Sequence, residues 1–370
     1  MNTENNDKQF MRLAIGEARK GLGRTSPNPC VGAVIVADGK IIATGYHKKA
    51  GTPHAEIHAL RAAGDAARGA TMYVTLEPCN HTGKTPPCSH AVARAGISRV
   101  VVGMTDPNPL VDGTGIDYLR DHDITVVSGI LEEECQEINR PFIKHVTTGL
   151  PWMVMKAGVS LDGRLNYQQG NSGWITGALS GEKVHELRNI HDAILVGSET
   201  VAIDNPSLTT RLKQGDGKDP IRVILDRTLR LPIEAKSFSI ESQAQAWVFC
   251  SHDADSGKRA QLESKGVRVF SVQGNETGLA LPEVVAVLGR NGVNSVFVEG
   301  GAAIHGAMLR QKLYDYAYLF VAPRFAGDKG VSLVTGYEAA DRNSSVSLQN
   351  VRHTTLGDDV LIAGEMHYPG

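Results

Sequence analysis

The sequence predicts an α/β protein of two domains, and three observations carry that prediction. The chain has 370 residues, too many for one ordinary core and suited to two. Apolar strand-like runs alternate with helix-like stretches along its length, the pattern of layered α/β structure. A short glycine-containing stretch at 147–151 separates two such series, so the expected domains are 1–146 and 151–370.

Each element follows from local pattern. Residues 8–22 predict a helix, with Phe10, Leu13, Ala14, Ala18 and Leu22 as its apolar set. Residues 31–36 and 41–45 read as a hairpin around Asp38-Gly39. The alanine-rich stretch 52–67 carries Pro53 in its first turn and predicts a helix. Thr71–Leu76 is strand-like, and Pro86-Pro87-Cys88 opens a second alanine-containing helix. The apolar strand Arg99–Met104, a helix at 116–122, a strand at 124–127 and a helix at 131–143 complete the first series. The second runs through strand 152–158, helix 180–189, and strands 193–197, 221–226, 247–250 and 267–271. Helix 282–290, strand 295–299, helix 302–311 and strand 316–323 follow. There is no internal repeat and no low-complexity segment.

Composition narrows the function. The hydrophobic fraction of 41% is ordinary for a globular protein, and net charge is −2. Residues 1–146 hold 16 Lys+Arg against 16 Asp+Glu, so this half lacks the basic footprint that nucleic-acid phosphates require. A small-molecule substrate is expected, with no nucleic-acid or membrane partner, in a protein that forms a homo-oligomer. The five cysteines are an odd number and fit a reducing cytosol, so the expected location is cytoplasmic. The polar N-terminus has no signal-peptide core, and no stretch approaches a membrane span.

The chemistry is concentrated in His54-Ala55-Glu56, Pro78-Cys79 and Cys88. One imidazole and two thiolates can hold zinc and leave its fourth position open, as in catalytic sites. In zinc nucleobase deaminases the carboxylate two residues after the histidine is the general acid/base and not a ligand. Residues two apart do not share a helix face, so His54 and Glu56 can serve one pocket only at a helix end. Cys88, at a helix start, is expected to have a lowered pKa. The alternative pair His54 and His58 stands in the order H-A-E-I-H, which is not the H-E-x-x-H of metalloproteases. Cys30, Cys135 and Cys250 read as buried small residues. Eight residues separate Cys79 from Cys88, where the usual deaminase motif has two.

In the second half no G-x-G-x-x-G occurs. Val298-Glu299-Gly300-Gly301-Ala302 runs from strand to helix through two glycines, and its N–H groups could hold a phosphate or simply make a turn. Asp162-Gly163 is most simply a turn. At the end of strand 221–226, Asp226 alone would favour NADH, whereas Arg227 directly after it could pair with a 2′-phosphate; an ordinary polar turn is the alternative. Trp174 could be a core residue.

The segment EPCNHTGKTPPC at 77–88 resembles the deaminase signature of the bifunctional riboflavin-biosynthesis pyrimidine deaminase/reductases. TSPNPCVGAVIV, TDPNPLVDGTG, KAGVSLDGR, GNSGWITG and VEGG resemble that family too, over nearly the whole chain. The resemblance implies a cytidine-deaminase-like three-layer domain followed by a dihydrofolate-reductase-like domain. It implies zinc-dependent deamination of 2,5-diamino-6-(5-phosphoribosylamino)pyrimidin-4-one, with one zinc per chain, and then NADPH-dependent reduction of the ribosyl group to ribityl. Matching positions place Asn28, His47, His81, Lys84, Asp106 and Asn108 around the first substrate. Gly158, Trp174, Thr200, Asp204, Gly300, Gly301 and Ala302 match cofactor contacts, and a cofactor contact at the strand end singles out Arg227. Ser172, Arg188, Leu208, Arg211 and Glu299 match the second substrate, and Lys156 is a candidate for orienting its sugar hydroxyls, with a structural cation as the alternative. The guanidinium forks of Arg188 and Arg211 suit a ribose phosphate. Two competing readings are a deaminase of nucleosides or nucleic acid with a regulatory nucleotide-binding C-terminal module, and a non-catalytic fold stapled by zinc.

Overall fold

The computed structural model describes residues 3–81, 86–108, 113–215, 217–276 and 278–369. The chain divides into two compact units, Met1–Gly149 and Leu150–Gly370.

The first unit contains α1 (Thr3–Arg19), β1 (Gly32–Ala37), β2 (Lys40–Tyr46), α2 (Ala55–Ala63), β3 (Thr71–Leu76), α3 (Cys88–Arg94), β4 (Arg99–Met104), α4 (Thr114–Arg120), β5 (Thr125–Ser128) and α5 (Glu132–Thr148). Its five-stranded sheet has the order β2-β1-β3-β4-β5; β1 is antiparallel to β2 and β3, and β3, β4 and β5 are parallel. The β1–β2 turn forms because Asp38 (φ 49°) and Gly39 (φ 74°) both tolerate the left-handed region that a tight hairpin needs. Helices α1 and α5 pack on one face and α2 on the other, with α3 against α2 and α4, giving three layers. The apolar strands β3 and β4 are buried almost throughout because both their faces are covered. The predicted helix over 52–67 is shorter at both ends: α2 starts at Ala55, and Gly64–Ala67 tightens into a 3-10 turn. Helix α5 instead runs beyond the expected 143, through Pro141, and ends at Gly149 (φ 73°), so much of the expected linker is helical.

The second unit contains β6 (Trp152–Ser160), α6 (Ala178–Ile190), β7 (Ala193–Gly197), α7 (Ser198–Asp204), β8 (Ile221–Leu225), α8 (Lys236–Ser239), β9 (Ala246–Ser251), α9 (Ser256–Ser264), β10 (Arg268–Val272), β11 (Gly274–Asn275), β12 (Gly278–Leu279), α10 (Leu281–Arg290), β13 (Ser295–Val298), α11 (Ala302–Arg310), β14 (Tyr316–Ala322), β15 (Ser347–Leu356) and β16 (Asp359–His367). Its nine-stranded sheet has the order β10-β9-β8-β7-β13-β6-β14-β16-β15. Strands β10 to β14 in that order are parallel, and β16 and β15 close the edge as an antiparallel pair. Strand β13, late in the chain, inserts between β7 and β6. Such a reversal of strand order marks the place, at the strands' carboxyl ends, where α/β folds bind ligands. Sequence reasoning missed α7, α9 and the β15–β16 pair. Strand β15 is exposed almost throughout, so it lacks the apolar signal by which a strand is read.

Candidate functional site

In the first unit the three motif residues converge. His54 is the N-cap of α2, in extended conformation (φ −72°, ψ 168°), so it points differently from the helix while Glu56 lies in the first turn. Gly45 on β2 admits that helix start: a Cβ there would lie 2.5 Å from the Ala55 carbonyl oxygen. Cys79 follows β3 and Cys88 begins α3. The Nδ1 of His54 is 3.6 Å from Cys79 Sγ and 3.3 Å from Cys88 Sγ. One ligand atom from each of the three lies within 4.8 Å of the others. His58 is not part of this group, which removes the helical histidine pair as a metal site among the described residues.

The electrostatics suit a cation. Cys79 is drawn down to about 4 by a hydrogen bond from Cys88, with His54 adding to it against the cost of burial. Cys88 is pushed up by its hydrogen bond with Cys79 and by burial. The backbone N–H at this helix start donates at 3.5 Å to the Cys79 sulfur. Burial pushes Glu56 up to about 7, with the Cys79 thiolate adding to the shift. Glu56 is 3% exposed and its Oε2 has no hydrogen-bond partner among the described residues. Two sulfurs and one imidazole nitrogen at this spacing, beside a buried carboxylate with one oxygen unpartnered among the described residues, fit a zinc ion with an open position.

The flanking residues are ordered by backbone contacts. His47 Nδ1 lies 3.2 Å from the Pro53 carbonyl oxygen, which can only accept, so that nitrogen carries the proton. Its Nε2 then accepts from Asn28 Nδ2 at 3.2 Å, which leaves the Asn28 carbonyl oxygen pointing elsewhere. Burial lowers the His47 pKa, in keeping with a neutral ring. Asp106 is buried, its Oδ1 accepts from the Asn108 N–H at 2.9 Å, and burial raises its pKa. His81 is exposed. Lys84 lies outside the described residues. Sequence reasoning missed Glu77. Its buried carboxylate accepts from the backbone N–H groups of Asp106, Gly113, Gly115 and Ile116 at 2.8–3.3 Å. It stands in the quoted motif, but nothing in the motif announces partners some thirty residues away.

In the second unit a charged cluster sits beside the end of β13. Met155 pairs with Val298, so Lys156 on β6 and Glu299 after β13 stand side by side. The Glu299 carboxylate accepts from Arg188 Nε at 2.6 Å and NH2 at 2.9 Å, and lies 3.6 Å from Lys156 Nζ. Burial opposes its charge, but Arg188 and Lys156 outweigh that and hold it at about 2. The Arg188 fork, read from sequence as suited to a phosphate, is thus engaged by Glu299, and its NH1 donates to the Thr209 carbonyl at 3.0 Å. Arg211 is exposed, with NH1 on Ser207 and Thr209 and its N–H on His185. Burial and then the Arg188 and Arg211 charges lower His185 to about 4. Leu208 is buried with φ 56°.

The glycine turn leads directly into α11, whose N-cap is Gly301. A Cβ at Gly300 would meet the Ile304 side chain at 2.8 Å, so only glycine lets this turn close on the helix. A Cβ at Gly301 would meet nothing closer than Thr200 Oγ1 at 4.0 Å, which leaves the helix start open. Ala302 is the first residue of α11, and Gly158 faces Thr176. An open helix start at a chain reversal fits a dinucleotide phosphate. Trp174 is 65% exposed and lies over Gly181, so it is not a core residue. Ser172 and Asp204 are exposed. Asp226 is 2% exposed and accepts from the Arg230 and Leu231 N–H groups, so its carboxylate closes a turn. The Arg227 side chain makes no hydrogen bond or ion pair among the described residues.

Comparison with known proteins gives concordant matches. A family described as the RibD C-terminal domain matches residues 151–362, and one described as the cytidine and deoxycytidylate deaminase zinc-binding region matches residues 4–104. The riboflavin biosynthesis protein RibD of Bacillus amyloliquefaciens is 40% identical, with 96% of this chain and 95% of that protein covered. The Aquifex aeolicus protein of that name is 41% identical, with 96% and 97% covered. The solved Acinetobacter baumannii RibD structure superposes with a TM-score of 0.88 at 36% identity, covering 98% of this chain and 99% of that one. A Thermotoga maritima diaminohydroxyphosphoribosylaminopyrimidine deaminase/5-amino-6-(5-phosphoribosylamino)uracil reductase superposes with a TM-score of 0.85 at 38% identity, covering 99% and 100%.

Proposed function

Because the chain belongs to the RibD family of riboflavin-biosynthesis proteins, we propose that His54, Glu56, Cys79 and Cys88 carry its first reaction and the residues around Glu299 and Gly301 its second. The chain is a bifunctional deaminase and reductase of riboflavin biosynthesis, with a cytidine-deaminase-like domain followed by a dihydrofolate-reductase-like one, and its cofactors are zinc and NADPH. Its substrate is a small molecule. The diaminopyrimidine ribotide loses its ring amino group to water, and the ribosyl chain of the product is reduced to ribityl.

The observation that carries this reading is the three-residue ligand cluster with the buried Glu56 carboxylate beside it, one of whose oxygens has no partner among the described residues. Zinc, when bound by His54, Cys79 and Cys88, supplies a Lewis acid that makes water a nucleophile at neutral pH. Glu56 accepts a proton from the attacking water and delivers one to the departing amine, and a pKa near 7 suits both transfers. Neutral His47 orients Asn28, whose free carbonyl oxygen accepts from the pyrimidine. Asp106, Asn108 and His81 complete the pyrimidine pocket, and Lys84 is a point charge for the 5-phosphate.

NADPH, when bound, supplies the hydride. Gly158, Trp174, Thr200, Asp204, Gly300, Gly301 and Ala302 hold it, with the pyrophosphate at the start of α11 and the 2′-phosphate on Arg227. Lys156 and the ionised Glu299 orient the sugar hydroxyls, and Arg188 acts by clamping Glu299. The exposed Arg211 receives the substrate phosphate, with Ser172 and Leu208 beside it. Near-neutral charge in the first 146 residues supports action without nucleic acid. Among the described residues no helix is long and apolar enough to cross a membrane. A cytoplasmic homo-oligomer completes the reading.

The test is incubation of the purified protein with the diaminopyrimidine ribotide, with and without NADPH, followed by mass analysis. Exchange of NH for O without cofactor, and addition of two further hydrogens with it, is the expected result. Ammonia release from cytidine or RNA, with the ribotide untouched, would favour a nucleic-acid or nucleoside deaminase instead.

A further inference from the structure

Among the described residues Glu77 makes no hydrogen bond to any of the three ligand side chains, yet its carboxylate accepts from four backbone N–H groups. It is 3% exposed, and its own N–H donates to the Met104 carbonyl at 3.0 Å. Oε2 accepts from Asp106 N at 3.3 Å and Gly113 N at 3.1 Å; Oε1 accepts from Gly115 N at 2.8 Å and Ile116 N at 3.2 Å. These groups lie just after β4 and at the start of α4. The next residue, Pro78, is pressed against the start of α4 as well: a Cβ on Gly115 would lie 1.9 Å from the Pro78 carbonyl oxygen. Cys79 follows at once, and its carbonyl accepts from the Ser89 N–H at 3.1 Å. One buried carboxylate therefore ties the segment carrying a ligand thiolate to the backbone of Asp106, whose Oδ1 in turn holds the Asn108 N–H.

We propose that Glu77 is a positioning residue of the deaminase site, which sets the distance between the Cys79 segment and Asp106. This rests on the reading that Asp106 faces the pyrimidine substrate. A charged acceptor is needed because four N–H groups converge on it, and a carboxylate can accept all four. In Glu77→Gln one oxygen becomes an NH2 group, which faces two of those donors and can accept from neither. The backbone at Asp106 or at the start of α4 must then shift, while the thiolates and His54 keep their contacts.

The experiment uses the zinc-loaded full-length protein and four forms: parent, Glu77→Gln, Asp106→Ala and the double variant. Zinc content, reduction of supplied deaminated intermediate, and KM and kcat for deamination are measured on each. Glu77→Gln should keep its zinc and its reductase rate and raise the deamination KM about tenfold, with kcat changed less than about threefold. In the Asp106→Ala background the same substitution should have little further effect, because its route to the substrate is gone. Glu77→Asp keeps the charge but withdraws it by one methylene. It should show the same split at smaller size, and it carries the test if the glutamine variant does not fold. Loss of zinc, an unchanged KM, or a full additive effect in the double variant would each overturn the positioning role. An unchanged KM in Asp106→Ala alone would instead overturn the placement of Asp106 at the substrate.

Discussion

Glu56 and Cys88 sit in one pocket but answer to different physics, so their variants separate the two roles. Glu56→Gln removes the proton acceptor and keeps the shape. Deamination should fall about 10²–10⁴-fold with zinc retained, as read by metal analysis beside ammonia release. A zinc staple would be indifferent to that change. Cys88→Ser replaces a thiolate with a poor zinc ligand. It should lose both the metal and deamination while NADPH oxidation on supplied deaminated intermediate continues; full zinc occupancy in that variant would contradict the ligand assignment. At the other site, Asp226 is sealed into a turn and Arg227 is the unengaged charge at that strand end. Arg227→Ala should therefore weaken NADPH about tenfold more than NADH, measured as kcat/KM for each, and an unchanged ratio would remove Arg227 from the cofactor. The metal motif was legible because its chemistry is local and its residue types are rare. The charge cluster was not, because the partners of Glu299 lie in β6 and α6, far away in the chain.

At the scale of elements, α1 is fastened to its sheet by a partly buried ion pair. Arg99 NH1 and NH2 donate to the Asp7 carboxylate at 2.9 and 2.7 Å, and the Tyr73 hydroxyl donates to Asp7 at 2.9 Å. Burial works against the charge of Asp7, but hydrogen bonds from Arg99 and Tyr73 prevail and its pKa falls below the ordinary value. A carboxylate depressed in the folded state stabilises the fold above its unfolded pKa, about 3.9, and that contribution is lost as pH falls through the lower folded value. Asp7→Asn should destabilise the first unit by about 2–3 kcal/mol at neutral pH, and the deficit should close below about pH 4. All three tryptophans, Trp152, Trp174 and Trp247, lie in the second unit, so their fluorescence is blind to this transition and far-UV circular dichroism should follow it. A deficit that persists unchanged in acid would mean that the pair contributes packing and not charge. The apolar strands β3, β4 and β7 were readable residue for residue, because continuous burial leaves a continuous apolar run.

At the scale of the molecule, each unit has its own sheet and its own apolar core. Met72, Val74 and Val101 belong to the core of the first, and Leu195, Phe249 and Val296 to that of the second. A fragment starting at Leu150 should therefore fold and reduce supplied deaminated intermediate without zinc. A fragment that stays unfolded would show that the first unit is needed to complete the second. The cut belongs at 150, because α5 continues to Thr148 before Gly149 ends it.

The sequence by itself determined the two-domain α/β class, the grouping of His54, Cys79 and Cys88, and the glycine turn before α11. Each is written in short-range terms: periodicity, rare residue types at close spacing, and backbone that only glycine permits. The tertiary structure alone decided what those elements meet. It turned the helix start at Cys88 toward the Cys79 sulfur, gave the Arg188 fork to Glu299, closed Asp226 into a turn and gathered four distant N–H groups on Glu77. These are pairings between groups made adjacent by sheet order, and sheet order is a global property of the chain. A charged side chain carries no local sign of the partner that burial will require it to find.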